Sequence, residues 1–223
     1  MSADPLPVPK GPTIRSEIER ISPSVIELAR GQATATLHES AGRIGVMPSA
    51  IKPVAPSFKV CGSAVTVHSP GGDNLWLHRA IYVAQPGDVL VVHVSDAYNF
   101  GYWGEIMSAA AMARGLGGLV IDGCVRDGAI LENFGFPVFS RGLCFRGTGK
   151  DFGARGWINQ ATLFGDLIVN PGDLVVGDAD GVVVLPRAQA QQFVLAAVER
   201  EKKEAAIIER IKAGERTLEL YNF

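Results

Sequence analysis

The 223-residue sequence has no long hydrophobic run, no basic segment and only three cysteines. No stretch reaches the roughly 18 consecutive apolar residues that mark a transmembrane helix, so we expect no membrane span. The net charge of −2, without clustered Lys or Arg, argues against nucleic-acid binding. The cysteines lack C-x-x-C spacing, which disfavours a metal or redox motif and is consistent with reduced thiols in a cytoplasmic protein.

What the sequence does have is a high hydrophobic content, 47%, with only 20% charged residues. This length and composition predict one sizeable α/β domain, and the apolar excess favours a homo-oligomer that buries part of its surface between subunits. The Pro-rich residues 1–13 are predicted to form a flexible arm, and residues 14–223 a single domain. Ile14, Ile18 and Ile21 are spaced as on a short amphipathic helix.

The central stretch, Asp88 to Asp127, has the pattern of a strand, a helix and a returning strand. Residues 89–94 form a near-continuous apolar run, typical of a strand that is buried on both faces. Apolar residues at helical spacing predict a helix over 103–114, which a group of glycines ends. Residues 119–121 then predict a second buried strand.

The lengths of these elements predict where their polar ends meet. A helix of about eleven residues is roughly 16 Å long, and a strand of about five residues covers a similar distance. The second strand should therefore end close to the start of the helix, which brings Glu105 near Arg126 and Asp127. This rim is the carboxyl end of parallel strands, where α/β proteins usually bind ligands.

The residues at this rim predict a site for an anion beside a divalent metal ion. Arg126 offers a planar set of donors to a carboxylate or enolate, and Asp127 is a hard oxygen ligand suited to Mg²⁺ or Mn²⁺. Singly, these residues also fit a solvated turn and an acidic first helical turn. Four backbone N–H groups at the helix start lack intrahelical partners; they belong to Gly104, Glu105, Ile106 and Met107.

Three further segments complete the prediction. Residues 58–68 alternate as a strand, and the turn that follows offers Asp73 as a cap for the next helix; without a P-loop lysine, this turn does not indicate nucleotide binding. The Gly-rich segment 146–157 is predicted to be a long loop that forms a wall of the site. A long helix is predicted over 187–213.

Two glutamates of this C-terminal helix have unusual positions. On a helical projection, Glu201 and Glu204 fall on the same stripe as the apolar residues, which should be buried. They could form ion pairs at a subunit interface. Alternatively, one of them, with Glu204 preferred, could reach the metal site of a neighbouring subunit.

A family resemblance is carried by the segment WGEIMSAAAMARGLGGLVIDGCVRD, in which twenty residues separate Glu105 from Arg126 and Asp127. Together with GGDNLWLHRAIYVAQPGDVLVV, FPVFSRG and GDLVVGDADGVVVLPR, it resembles the RraA-like family. That family includes 4-hydroxy-4-methyl-2-oxoglutarate / 4-carboxy-4-hydroxy-2-oxoadipate aldolases and RraA regulators of ribonuclease E. The resemblance implies a layered β/β/α swivelling-domain-like α/β fold, and trimers that pair into hexamers.

The resemblance also implies a function, a pyruvate aldolase dependent on Mg²⁺ or Mn²⁺ and acting on a small oxo acid. Arg126 would stabilise the enolate, Asp127 would hold the metal, and Glu105, or Glu204 of a neighbouring subunit, would orient a water that acts as base. The aldolases more usually have Asp at the position of Glu105. Residues 88–127 contain no Lys, which argues against a Schiff base. The rival prediction is a non-catalytic regulator that binds a protein partner.

Overall fold

The computed structural model describes residues 13–223, so all but the last residue of the predicted N-terminal arm lies outside the described part. The helices are α1 (Pro23–Arg30), α2 (Thr34–Ser40), α3 (Leu75–Val83), α4 (Glu105–Ala113), α5 (Gly128–Phe134), α6 (Ala190–Lys212) and α7 (Thr217–Leu220). The strands are β1 (Lys52–Pro53), β2 (Val60–His68), β3 (Val89–His93), β4 (Gly118–Asp122), β5 (Val138–Ser140), β6 (Trp157–Ile158), β7 (Thr162–Phe164), β8 (Leu167–Val169), β9 (Leu174–Asp178) and β10 (Gly181–Leu185).

The centre of the fold is a parallel sheet made by β2, β3, β4 and β5, in which β3 and β4 are the parallel pair that the two apolar runs predicted. Antiparallel strands extend it on both sides, in the order β1-β5-β4-β3-β2-β9-β10, and β6 pairs with the end of β2. Every residue of β4 is buried, and in β3 only the last residue is partly exposed. Crossover helices α3, α4 and α5 connect the parallel strands, so their carboxyl ends share one edge of the sheet.

The segment before α1 is not the predicted amphipathic helix. Residues 15–21 have no helical hydrogen bonding, and Ile14 forms a parallel bridge with Ile158. The backbone N–H of Arg15 donates to the carbonyl oxygen of Ile158 at 3.2 Å. The regular spacing of three isoleucines was misleading because pairing with the sheet satisfies this backbone in an extended form.

The long C-terminal helix is present, but only its first half is buried as predicted. Ala190, Val194 and Ala197 pack against α1, α2 and the sheet. Ile208 and Ile211, further along the same stripe, are 50% and 39% exposed. The prediction that the whole stripe is buried is therefore wrong for a single chain, because the helix extends beyond the domain. No helix among the described residues has the length and apolar character needed to cross a bilayer.

Candidate active site

The two halves of the predicted site are in direct contact at the carboxyl edge of the sheet. The backbone N–H of Glu105, the first residue of α4, donates to Oδ2 of Asp127 at 3.1 Å. The N–H of Arg126 donates to the carbonyl oxygen of Trp103 at 2.9 Å. The start of α4 and the end of the β4–α5 connection therefore form one small unit, although about twenty residues separate them in the sequence.

Asp127 has a backbone conformation that aims its side chain back toward α4. Its φ of 63° and ψ of 33° are left-handed, which is uncommon for a residue other than glycine, although Asp tolerates it better than most. The carboxylate is one-third exposed, and Nε of Arg126 lies 3.7 Å from its Oδ2. The negative charge of Asp127 thus lies between a cation and the positive end of a helix dipole.

Gly104 is required by this close approach. A Cβ atom at position 104 would lie 2.3 Å from Oδ2 of Asp127 and 3.1 Å from Cγ of Arg126. Since real Cβ atoms do not approach other atoms so closely, only glycine lets the carboxylate reach the start of the helix. The backbone here is extended, so space and not φ demands the glycine.

A cavity of about 270 Å³ opens beside this unit. Four of the residues predicted to bind substrate line it, namely Gly104, Ile106, Met107 and Arg126. In the described part of the chain, the N–H groups of Gly104, Ile106 and Met107 have no acceptor, whereas that of Glu105 is taken by Asp127. Three of the four N–H groups predicted to receive an anion are therefore without an acceptor in the described residues, and anion binding by them stays a prediction.

Sequence reasoning missed the opposite wall of this cavity, which Asn74, His78, Thr148 and Lys150 help to form. Burial, reinforced by the positive charge of Lys150, lowers the pKa of His78. Lys150 and His78 come from separate segments, so no local spacing marks them. The only available signal was the Gly-rich composition of 146–157, which predicted a wall without identifying its chemistry.

The loop that carries Lys150 is tied to the start of α3. The carboxylate of Asp73 accepts hydrogen bonds from the N–H groups of Leu75, at 2.8 Å, and Asp151. The N–H of Gly149 also donates to the carbonyl oxygen of Gly72 at 2.7 Å. The N-cap residue of α3 is Asn74 and not Asp73 as predicted, but the Asp73 carboxylate still accepts the first N–H of the helix and also holds the neighbour of Lys150 in place.

Asn74 contributes a buried acceptor to the cavity wall. Its side-chain nitrogen donates to the carbonyl oxygen of Tyr102 at 2.9 Å, but its Oδ1 has no hydrogen-bond donor. The residue is only 6% exposed, and an unpaired polar atom at such a depth is costly.

The two glutamates proposed as catalytic residues lie in different places. Glu105 is exposed at the start of α4, beside Asp127. Glu204 is on α6, which packs against α1 and α2, and its carboxylate accepts a hydrogen bond from Nε of Arg200 at 2.7 Å. Nothing in a single chain joins Glu204 to the cavity, so its assignment to the site of a neighbouring subunit stays a prediction.

Comparison with known proteins identifies the family. The RraA-like family model, described as Aldolase/RraA, matches residues 29–184. A protein of Halalkalibacterium halodurans named "Putative 4-hydroxy-4-methyl-2-oxoglutarate aldolase" is 35% identical over 171 residues, which cover 75% of this chain and 80% of that protein. The chain therefore belongs to the RraA-like family, as the sequence motif predicted.

Solved structures confirm the fold. An uncharacterized protein from Pseudomonas syringae pv. tomato has a TM-score of 0.77 and 30% identity, covering 92% of this chain and all of that one. Streptomyces coelicolor RraAS2, described as an unusual member of the RNase ES inhibitor RraA protein family, has a TM-score of 0.74 and 26% identity. That match covers 85% of this chain and 98% of RraAS2. The predicted RraA-like α/β fold with a long C-terminal helix is thus confirmed.

Proposed function

We propose that the protein is a divalent-metal-dependent aldolase that cleaves a 4-hydroxy-2-oxo acid to pyruvate and a second oxo acid. The substrates we favour are 4-hydroxy-4-methyl-2-oxoglutarate and 4-carboxy-4-hydroxy-2-oxoadipate. The observation that carries the proposal is the contact of Asp127 with the start of α4 beside Arg126, at the edge of a cavity of substrate size. The name given to the relative from H. halodurans supports the same reaction class.

The proposed reaction passes through one anionic intermediate, which the site must stabilise. A base removes the proton of the C4 hydroxyl, and this oxygen becomes the carbonyl of the second product. The C3–C4 bond breaks, and its electrons form the enolate of pyruvate. Protonation of C3 then gives pyruvate. Oxaloacetate would yield the same enolate by loss of CO₂, so we expect decarboxylation as a side activity.

Asp127, which contacts Gly104 and Arg126 of the cavity lining without lining the cavity itself, fits a weakly held Mg²⁺ or Mn²⁺. Asp127 supplies a hard oxygen ligand, and no group of three or more His, Cys, Asp or Glu side chains within residues 13–223 could form a closed cage. Mg²⁺ commonly uses one or two carboxylates and keeps several waters, which matches this donor set. When bound, the cation would act as a Lewis acid toward the oxo acid.

The remaining tasks fall to the protein's own side chains. Arg126 lines the cavity and is 46% exposed, so it can donate to the oxygen on which the enolate charge develops. The N–H groups at the start of α4 would receive the substrate carboxylate. Glu105, beside Asp127 at the start of α4, would hold a water that takes the hydroxyl proton.

Lys150 introduces a second chemical route that the sequence argument did not cover. The absence of lysine from residues 88–127 does not exclude a Schiff base, because Lys150 lies in the cavity wall outside this stretch. An amine there could form a Schiff base with the keto group. Borohydride reduction in the presence of pyruvate separates the routes, because only an imine gives a covalent adduct on Lys150; under the metal-dependent proposal no adduct forms.

The alternative function is a non-catalytic regulator that binds a protein partner. It is favoured by the likeness to RraAS2 and by exposed apolar side chains near the cavity. Ile106 is 76% exposed and Phe145 is 94% exposed. The same surface could instead be covered by another copy of the chain, as expected for the homo-oligomer that we propose.

One assay tests the proposed function against this alternative. Purified protein is incubated with oxaloacetate or a 4-hydroxy-2-oxo acid, and pyruvate is measured with and without Mg²⁺, Mn²⁺ or a chelator. We expect metal-dependent pyruvate release that Asp127→Asn abolishes; Asn can still accept the hydrogen bond from Glu105 but lacks the charge. Asp166→Asn, an exposed carboxylate in the β7–β8 turn, is the matched control. Failure with all substrates and metals would favour the regulator.

A further inference from the structure

A second polar cluster lies on the same edge of the sheet and is not used by the proposed reaction. The last residues of β2, β3 and β4 are neighbours in the parallel register, so their side chains lie on one face of the sheet. These residues are His68, His93 and Asp122. The two histidines line a separate cavity of about 360 Å³, which shares no lining residue with the cavity beside Arg126. Since α/β proteins usually bind ligands at this edge, the second cavity is a candidate site.

Arg141 also lines this cavity, and two contacts hold its side chain in a fixed position. Its Nε donates to Oδ1 of Asp122 at 2.5 Å, and this carboxylate is only 2% exposed. Its guanidinium carbon lies over the ring of Tyr98, 3.9 Å from the ring centroid. Among residues 13–223, neither terminal nitrogen of Arg141 has a hydrogen-bond acceptor. The guanidinium is therefore oriented in advance, and its outer donors remain available to a ligand.

The same cavity has an apolar wall that is also held in place. The apolar residues that line it are Pro48, Trp157, Ala161 and Leu163. The indole of Trp157 is nearly parallel to the imidazole of His68, with ring centroids 3.8 Å apart. His68 is in turn held by a hydrogen-bond contact between its Nδ1 and Nδ1 of His93, at 3.3 Å. A ligand can therefore place an apolar body against this wall while a polar group reaches Arg141.

The charges around Arg141 define which polar group fits. Asp96 lies close to the guanidinium, because its Oδ1 accepts the hydroxyl of Tyr98 at 2.6 Å and the ring of Tyr98 lies beneath Arg141. Two carboxylates, those of Asp122 and Asp96, thus flank one cation. A dianion such as phosphate would be repelled, whereas a single carboxylate has two oxygens that match the two terminal nitrogens of an arginine. The carboxylate of Asp96 is 76% exposed, so water screens its repulsion of a monoanion.

We propose that this second cavity binds a small organic monocarboxylate with a compact apolar body. The carboxylate accepts hydrogen bonds from the terminal nitrogens of Arg141, and the body packs against Trp157 and Leu163. The binding site does not depend on the proposed aldolase reaction, because the two cavities share no lining residue. Since Asp122 already offsets the positive charge of Arg141, the fit of the apolar body contributes a large part of the affinity.

The test is a titration of the purified protein with 4-fluorobenzoate, followed by ¹⁹F NMR. We expect saturable binding, and an affinity that is lower by about tenfold or more in Arg141→Gln, because hydrogen bonds to a charged group are lost. Arg114→Gln, which changes an exposed arginine at the end of α4, is the matched control and should bind normally. Arg126→Ala should also bind normally. Loss of binding in Arg126→Ala but not in Arg141→Gln would place the probe in the first cavity and overturn the proposal.

Two further measurements cover the case in which Arg141→Gln fails to fold because Asp122 loses its partner. Ala161→Glu adds a carboxylate at an exposed position of the cavity lining and leaves the contacts of Arg141 intact, so it should weaken binding of the probe by a similar factor. The unmodified protein should bind the uncharged 4-fluorobenzamide more weakly than 4-fluorobenzoate. Normal binding by Ala161→Glu, equal binding of the two probes, or no saturable binding of 4-fluorobenzoate would contradict the site.

Discussion

The two polar clusters at the carboxyl edge of the sheet differ in how they are built. Asp127 and Arg126 lie in a connection after β4, and their positions depend on a left-handed backbone and on contact with the start of α4. His68 and His93 are the terminal residues of hydrogen-bonded strands. The first cluster offers oxygen and a cation to an anionic ligand, whereas the second offers two imidazoles beside Arg141. The same fold edge can therefore carry two different chemistries.

The largest expected effect is on the first cluster. Arg126→Ala removes the donor that faces the developing enolate, and loss of such a preorganised donor typically costs about 3–4 kcal/mol of transition-state stabilisation. We expect kcat for pyruvate release to fall by a factor of roughly 10²–10³. His93→Asn is the matched change in the second cluster and should leave kcat nearly unchanged. Equal losses in both variants would show that the clusters act together.

The next effect concerns the second cluster and depends on pH. Burial of the ring, reinforced by the neighbouring His93, lowers the pKa of His68 from 6.5 to about 4. The unfolded chain therefore binds a proton near pH 6.5 that the folded protein accepts only near pH 4. The free energy of unfolding should fall as the pH decreases between these values, by up to about 3 kcal/mol from this group.

Urea unfolding of wild type and His68→Asn in chelator, at pH 7, 5.5 and 4, measures this effect. The difference in unfolding free energy between the two proteins should move in favour of the variant as the pH falls. Titrating groups distant from His68 are common to both proteins and cancel in the difference. A difference that is constant with pH would contradict a neutral, buried His68.

A smaller effect is expected at Gly104, whose lack of a side chain leaves room for Asp127 in the first cluster. Gly104→Ala places a Cβ against Oδ2 of Asp127, and overpacking of this kind costs about 1–3 kcal/mol. We expect a lower melting temperature and weaker Mg²⁺ activation, seen as a higher metal concentration for half-maximal activity. Gly31→Ala, at the end of α1, meets no atom closer than 3.7 Å and is the control. Normal Mg²⁺ activation in Gly104→Ala would show that the contact is dispensable.

The sequence predicted the first cluster and missed the second for physical reasons. The convergence of Glu105 and Asp127 follows from the lengths of one helix and one strand, which are local properties. The contact of His68 with His93 depends on the register of two strands separated by α3, which composition and periodicity do not determine. Lys150 was missed for a related reason, because hydrogen bonds of Asp73 and Gly72 to the loop, and not its own pattern, position it.

The terminal segments show the limits of periodicity. The spacing of Ile14, Ile18 and Ile21 predicted a helix, yet tertiary pairing with Ile158 gives extended backbone. The helix α6 was predicted correctly, but the sequence could not show how much of its length packs against the rest of the domain. Half of its apolar stripe is consequently exposed in one chain.

The central claim, that Arg126 in the cavity and Asp127 beside it stabilise the enolate of pyruvate, is tested most directly by proton exchange. Pyruvate is incubated with the protein in D₂O, and loss of the methyl signal is followed by ¹H NMR with Mg²⁺ or Mn²⁺ and with chelator. The account predicts metal-dependent exchange that Asp127→Asn and Arg126→Ala remove and that Asp166→Asn retains. Exchange that is absent at every metal concentration, or that persists without Asp127, would contradict it.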